Sequence, residues 1–555
     1  MSKTSKTYRP YAPGQSFLLP PSPLDWLPED HLARFILDVV QMLDLKAITG
    51  SYEKEHRGFP PHHPVMMTAL LLYAYCVGVP SSRKIAKRTY EDVAFRVIAG
   101  NTHPDYSCIS EFRRIHLAAL SGLFVQVLAM CEVMGLAQLG MVALDGTKVK
   151  ANASKHKAMS YERMQADEER LAAKVAQLLK QAEQVDQGED EQYGAGRRGD
   201  ELPEDLRRAQ SRLARIREAK AQLEAEVKQQ AQTREANKSE EQQVSLALTE
   251  MNNILVSRQG TEERAMPAPI PTETEPTVAA QQDTPELPSA PAPMETGPSQ
   301  AAQQDGPKPS QPGLGPTQMT EHASVQRASQ EVPPQEATAR LPTPEPLPLH
   351  QHPTQTGGQP APKAQRNFTD PESRILKSGS DYIQGYNAQI AVDREFQIIV
   401  AQGLSNQSPD AEYFIPMLDR IVENCGRVPQ RALGDAGYFS ESNVRRSACR
   451  GVDAYLAPGR TGHGQKAQES LSEAEAAQAS AKARMKAKLS TPEGAGHYSR
   501  RKVIVEPVFG QIKNRGFRQF LLRGLEKVRG EWSLITLSHN LLKLHSARRM
   551  RRKAA

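Results

Sequence analysis

Three carboxylates in this 555-residue chain stand where local structure gives little reason for one. Asp145 closes the apolar run Met141-Val142-Ala143-Leu144, Asp435 follows Arg431-Ala432-Leu433-Gly434, and Glu506 begins the helix-like stretch through Lys513. Two aspartates at strand ends and a glutamate on a helix can converge on two divalent metals. Such hard oxygen donors leave coordination positions for water and phosphate oxygens, which is the arrangement that phosphodiester chemistry uses. The sequences Asp145-Gly146-Thr147 and Asp435-Ala436-Gly437 add glycines that would let a nucleic-acid backbone come close. Pro507 places Glu506 at or near a helix start. Lys513 follows Glu506 by almost two turns, so both side chains share a face and Lys513 could reach a phosphate beside the scissile bond. Each residue also has a plainer reading. A strand-end aspartate commonly caps a turn, and the Glu506–Lys513 pair could be an exposed helix face.

The elements that would position these groups can be read from periodicity. Residues 23–136 carry apolar side chains at helical spacing, broken at Pro60, Pro61 and Pro64 before a buried helix over 65–79. The segment from Ser81 begins with capping residues and presents Arg83, Lys84 and Lys87; a later helix over 107–116 carries Arg113 and Arg114. Short helices separated by tight turns, the last one basic, are compatible with helix-turn-helix docking on DNA or with ordinary helical packing. A buried strand over 139–144 ends at Asp145. Two amphipathic stripes follow, Leu171/Val175/Leu178/Leu179 and Leu206/Leu213/Ile216/Leu223/Val227, the second at near-heptad spacing. They predict an antiparallel helical hairpin that is a projecting arm, a dimer contact or a solvated spacer. Beyond it, strands over 382–391 and 396–404 flank a turn. A helix over 409–425, a strand over 429–435, a helix over 442–449, a short strand over 452–456 and helices over 501–544 complete a mixed sheet flanked by helices.

Composition sets the outer bounds. The formal charge of +6 permits a nucleic-acid partner without requiring one. Five cysteines without a CxxC pair suit reduced thiols, and the N-terminus lacks the apolar core of a signal peptide, so a cytoplasmic protein with no membrane partner is expected. More than half of the 41 prolines lie between residues 260 and 365. A segment so poor in aromatics cannot bury enough apolar surface to offset chain entropy, so it is expected to be disordered. The expected organisation is a helical N-terminal domain at 1–136, a catalytic domain split into 137–160 and 367–545, a coiled-coil-like insertion at 161–250, a disordered linker at 251–366, and a basic tail at 546–555.

The wording around the three carboxylates narrows the reading. Leu144-Asp145-Gly146-Thr147-Lys148-Val149-Lys150-Ala151-Asn152-Ala153-Ser154, Gly385-Tyr386-Asn387-Ala388-Gln389, Gly434-Asp435-Ala436-Gly437-Tyr438-Phe439 and Val505–Lys513 together resemble bacterial insertion-sequence transposases of the DDE type. Arg523–Trp532 and His539-Asn540-Leu541-Leu542-Lys543 resemble them as well. The resemblance covers roughly 8–160 and 367–545. It implies an RNase H-like catalytic fold, two Mg²⁺ ions replaceable by Mn²⁺, and a helical N-terminal domain reading terminal inverted repeats of double-stranded DNA. It also implies Asp145, Asp435 and Glu506 as catalytic metal ligands with Lys513 beside them, target DNA as second substrate, and at least a homodimer when two ends are synapsed. Lys148, Lys150 and Arg515 would add DNA affinity. Relatives carry Tyr-x2-Arg-x3-Glu-x6-Lys. Here four residues separate Arg501 from Glu506, so either Arg501 sits one position off the expected face or Lys502 takes its place. Two other readings remain open: a catalytically silent, transposase-derived DNA-binding protein acting as repressor or scaffold, and an interaction protein built on the hairpin and the Pro-rich segment.

Overall fold

The computed structural model describes residues 22–52, 60–193, 204–262, 344–355, 357–459 and 479–554. Contacts divide the chain into two units, residues 1–238 with 341–555 and residues 239–340; of the second, 239–262 are described and helical.

Among the described residues of the first unit, seven α-helices precede the sheet: α1 (Leu32–Met42), α2 (Lys46–Thr49), α3 (Pro64–Cys76), α4 (Ser82–Glu91), α5 (Val93–Ile98), α6 (Tyr106–Ile115) and α7 (Leu117–Val133). Pro64 starts α3, where its missing N–H costs no helical bond. From Met67 to Cys76 every residue of α3 is buried, so the helix is apolar all round because it lies inside the fold. Among the described residues no single helix is long and apolar enough to cross a membrane.

The sheet is built from β1 (Met141–Lys150), β4 (Arg374–Ser378), β5 (Asp381–Asp393), β6 (Ile399–Ser405), β7 (Arg431–Gly434) and β8 (Asp453–Leu456), while β2 (Ala158–Ser160) and β3 (Gln365–Asn367) form a separate ribbon. Its order is β4-β5-β1-β7-β8, with β6 beside the second half of β5. The β5–β1 pairing is antiparallel, and β1–β7–β8 run parallel. This is an α/β mixed sheet flanked by helices with a helical N-terminal region, the order of an RNase H-like domain.

Helices α8 (Tyr161–Tyr193) and α9 (Glu204–Glu262) are inserted between β2 and β3. They pair antiparallel, Tyr161 meeting Glu224, Glu168 meeting Lys220 and Asp167 meeting Arg212. The two leucine stripes account for this: Leu171, Leu213 and Ile216 pack with Met164, and Leu223 packs with Tyr161 and Ala364. The sequence-based linker over 251–366 needs correction at both ends. α9 continues to Glu262, and residues from 344 onward are packed into the fold, with Leu347 and Ala364 buried. Proline there serves extended backbone rather than disorder, because polar contacts hold the segment. Glu226 of α9 takes hydrogen bonds from Arg366 at 2.5 Å and His352 at 3.2 Å, and Gln230 bonds the backbone of His350 and His352. Burial alone would raise the Glu226 carboxyl, but these donors and Arg374 outweigh it and pull it down to about 2. The remainder of the Pro-rich stretch, 263–343, lies outside the described residues.

After β7 come α11 (Glu441–Cys449), β8, α12 (Ala481–Ser490), α13 (Pro492–Asn514) and α14 (Leu525–Ala554), with α10 (Phe414–Cys425) preceding β7. The helical pattern over 501–544 is divided between two helices at 515–524, where buried Glu531 of α14 accepts backbone N–H bonds from Leu521 and Leu522. The expected basic tail is the end of α14, two of its arginines docked on the N-terminal region: Arg548 pairs with Asp38 of α1 and Arg549 with Asp30 in the turn before it. Higher up the same helix, Trp532 is 1% exposed, and Asn540 holds both the N–H and the C=O of Ile399, each at 2.9 Å. Replacing Asn540 with Ala leaves two buried backbone groups unpaired. Asn540→Ala is therefore expected to lower the urea unfolding free energy by about 2–6 kcal/mol, at about 1–3 kcal/mol per orphaned group.

Candidate active site

Asp145 is not the end of its strand, as its sequence context suggests. β1 stays paired with β5 from Val142 to Lys150, but its parallel pairing with β7 covers only Met141 to Ala143. Asp145 therefore sits where β1 loses one neighbour and keeps the other. Ala143 lies opposite Leu433, so Asp145 and Asp435 each follow two residues behind paired positions on adjacent strands. Carboxyl ends of neighbouring parallel strands are where open α/β sheets gather ligand groups.

Local hydrogen bonds orient both carboxylates. Asp145 Oδ1 accepts from the Gly146 N–H at 2.8 Å, and Asp435 Oδ1 accepts from the Gly437 N–H at 2.9 Å. The turn-capping role is thus present, and it occupies one oxygen of each. Asp145 Oδ2 instead faces the Arg501 guanidinium at 3.5 Å, and the other end of that guanidinium is 3.8 Å from Glu506 Oε1. The Asp145 side chain is 19% exposed and that of Glu506 53%. Burial pushes the Asp145 carboxyl up to about 6; the Gly146 N–H and Arg501 oppose this, while Asp435 and Asp410 add to it.

Glu506 lies well inside α13 rather than at its start, and Pro507 is an interior proline. A proline there removes the N–H that would bond the carbonyl four residues back, Val503. Gln397, in the β5–β6 turn, donates its Nε2 to that carbonyl at 3.1 Å and supplies the missing bond. Arg501 falls on the buried stripe with Val505, Val508 and Ile512, whereas Lys502 is exposed, so Arg501 is the cation that reaches the carboxylates. Lys513 donates to Thr147 Oγ1 at 2.8 Å, which ties the helix to the strand just past Asp145; burial lowers its pKa, and Asp145 opposes that shift.

A fourth acid belongs to the site and was missed in the sequence. Asp410 Oδ1 takes hydrogen bonds from Lys148 at 3.0 Å, Asn387 at 2.9 Å and Gln389 at 2.9 Å. Ser408-Pro409-Asp410 reads as an ordinary turn, and only Gly-Tyr-Asn-Ala-Gln, with its two inward amides, hinted at a buried acceptor. Gln389 also explains Gly146, since a Cβ at that position would lie 2.3 Å from Gln389 Nε2.

The expected DNA-contacting residues divide. Arg83, Lys84 and Lys150 are exposed, and Lys87 and Arg114 are exposed but paired with Glu91 and Glu111. Arg113 is buried, bonding Pro80 O at 2.7 Å and Ser82 Oγ at 3.3 Å, so it is a strut between helices. Lys148 is held by Asp410, and Arg501 by the carboxylates. Arg515 is drawn inside beside α14, donating to Ser538 at 2.9 Å. Gly78, at φ +75, makes room for its carbonyl, 2.2 Å from where a Cβ would stand. These four are corrected from DNA contacts to internal partners.

Among the described residues no group of three or more His, Cys, Asp or Glu side chains is already arranged around a common point as a metal cluster. The donor set nevertheless suits a divalent cation. It is all oxygen, it includes a desolvated carboxylate with an oxygen turned to a cationic group, and a guanidinium already joins two of its members.

Mixed strand order, with Asp145 and Asp435 each just past the paired stretch of two adjacent parallel strands, defines an RNase H-like α/β domain. Residues 349–541 match the transposase DDE domain family, and residues 21–114 match the transposase domain family DUF772. Together these matches show that the chain belongs to the insertion-sequence DDE transposases. The DDE match contains Asp410, Asp435, Glu506 and Lys513, while Asp145 lies between the two matched stretches. No curated protein and no solved structure matches the chain.

The raised Asp145 pKa fixes a sign. Because folding lifts it from 3.8 to about 6, the ionised carboxylate destabilises the fold fully above about pH 6, and the penalty vanishes below about pH 4. Asp145→Asn should raise the unfolding free energy in chelator at pH 7.5 by up to about 3 kcal/mol, from a shift of about two units. That gain should fade in parallel denaturant titrations at pH 4.

Proposed function

We propose that the protein catalyses metal-dependent cleavage of DNA at the terminal inverted repeats of an insertion sequence, followed by strand transfer into target DNA. The observation that carries this reading is the desolvated Asp145 carboxylate, in register with Asp435 and linked through Arg501 to Glu506. Asp145, Asp435 and Glu506 would hold two Mg²⁺ ions, or Mn²⁺ in their place. When bound, the ions supply Lewis-acid activation of a water or a DNA 3′-hydroxyl and stabilise the leaving oxygen.

The protein's own groups do the rest. The glycine N–H bonds fix the carboxylates in orientation before any ligand arrives. Arg501 neutralises charge between Asp145 and Glu506 in the free protein. Lys513, held against Thr147, orients a phosphate next to the reacting one. The Lys148–Asp410 pair sets the back wall with Asn387 and Gln389. Exposed Arg83, Lys84 and Lys87 on α4, with Arg114 on α6, give the N-terminal domain its DNA-facing charge, and synapsis of two ends calls for a dimer or larger assembly.

Asp145→Asn is expected to bind element-end duplexes as the unaltered protein does while nicking them at least ~1000-fold more slowly, through loss of several kcal/mol of charge stabilisation. Mg²⁺ or Mn²⁺ should raise the melting temperature of the parent protein and leave that of Asp145→Asn unmoved. Undiminished nicking by Asp145→Asn in Mg²⁺ would sink the assignment.

A further inference from the structure

A trough of about 1120 Å³ runs between α9 and the β2–β3 ribbon, away from the carboxylates. Its floor is apolar, with Met159, Ile216 and Phe368. Its rim carries Lys157, Arg163, Arg208, Arg212 and Arg215, and Glu218 is the one carboxylate among its lining residues. Arg208 is tethered to Glu204 and Arg212 to Asp167. Among the described residues Lys157, Arg163 and Arg215 have no ion-pair partner, and all three are exposed.

Two of these cations serve the insertion itself, but Lys157, Arg163 and Arg215 do not. Arg208, Arg212 and Arg215 fall on one face of α9 at i, i+4 and i+7, where like charges repel, and Lys157 and Arg163 line the same trough. The rim is also held in place. Glu226, one turn beyond the trough, is locked by Arg366 and His352, and Leu223 packs on Tyr161 and Ala364. A fixed concave row of guanidinium groups is complementary to a regular polyanion, and arginine forks match phosphate oxygens in pairs.

Its place relative to the site narrows the ligand. The twelve residues from Asp145 to Lys157 span at most about 40 Å even when fully extended. That is little more than one turn of B-DNA, so a duplex engaged at the carboxylates is long enough to span the separation from them to the trough. We propose that the insertion is a second DNA-binding element, its trough seating the phosphate backbone of the duplex that enters the active site. This inference rests on the function proposed above.

The test is fluorescence anisotropy of the full-length protein with a labelled 50-base-pair duplex of mixed sequence, between 50 and 200 mM salt. A neutral variant combines Lys157→Ala, Arg163→Ala and Arg215→Ala; a charge-retaining variant combines Lys157→Arg, Arg163→Lys and Arg215→Lys. Loss of three phosphate contacts is expected to lower the log–log salt slope by about 2 to 3 and the affinity by about tenfold or more at the upper salt, with the charge-retaining variant close to the parent. Equal affinity and slope in the neutral variant and the parent would overturn the inference and leave the function reading intact. Equal losses in both variants would also overturn it, since they would report shape rather than charge. A parent protein that binds no duplex at all would instead remove the function reading on which the inference rests.

Discussion

Asp145 is held where β1 has lost its parallel neighbour but keeps its antiparallel one, so its carboxylate is enclosed by the sheet yet open at one edge. Enclosure makes charge expensive there, and the shift of its pKa to about 6 reflects that cost. A charged group in such a place needs a cation close by, and the fold brings three: Arg501 to its free oxygen, Lys513 two residues along the strand at Thr147, and Lys148 to neighbouring Asp410. The packing of α13 against β1 is therefore not a generic helix-on-sheet contact. Its buried stripe includes an arginine because the sheet beneath offers a carboxylate, and replacing that arginine with an apolar residue would leave Asp145 facing a dry surface with only a backbone N–H to hold it.

The same requirement explains the interior proline. Helix α13 presents Arg501 inward and Glu506 outward, on different sides of a regular helix. Only the long Arg501 side chain links them, its guanidinium reaching Asp145 with one end and Glu506 with the other. Pro507 sits directly after the glutamate and frees a carbonyl, and Gln397 fills the gap from the β5–β6 turn. That turn is itself fixed to α14, since His539 donates to the Gln397 carbonyl at 2.9 Å and Lys543 to its side chain at 2.8 Å. The position of one catalytic candidate thus depends on a chain of contacts running from α14 through a hairpin turn to the helix that carries it.

Much of this framework could be read from residues alone, and the misses have physical causes. Apolar runs ending in Asp145 and Asp435 revealed two adjacent buried strands, because burial on both faces removes the usual alternation. They did not reveal that β1 continues, since the continuation is paired on one edge only and reads as polar. Pro507 suggested a helix start because proline favours the first turn, and nothing local could announce a glutamine more than a hundred residues away as the substitute donor. Arg113 and Arg515 looked like surface cations because burial of arginine is decided by tertiary partners such as Pro80 O and Ser538 Oγ. Composition misled in the Pro-rich stretch, where the residues from 344 onward are ordered by Glu226 and Gln230 of α9 instead of by an apolar core of their own.

That last contact bears on why an insertion sits at this point in the chain. The break falls after β1, whose far end leads away from Asp145, so chain added there extends the surface on the side where β1 emerges. A hairpin free to swing would place its charges at random and would lose the entropy of ordering each time a ligand met them. The locked junction of Glu226 with His352 and Arg366 removes that loss, because α9 is already fixed relative to β3 before anything binds. The donors around Glu226 outweigh the cost of burying its carboxylate, so the ionic cluster is charged and in place at neutral pH. Its effect is geometric: it sets the direction of a basic helix relative to the strand that carries the first carboxylate.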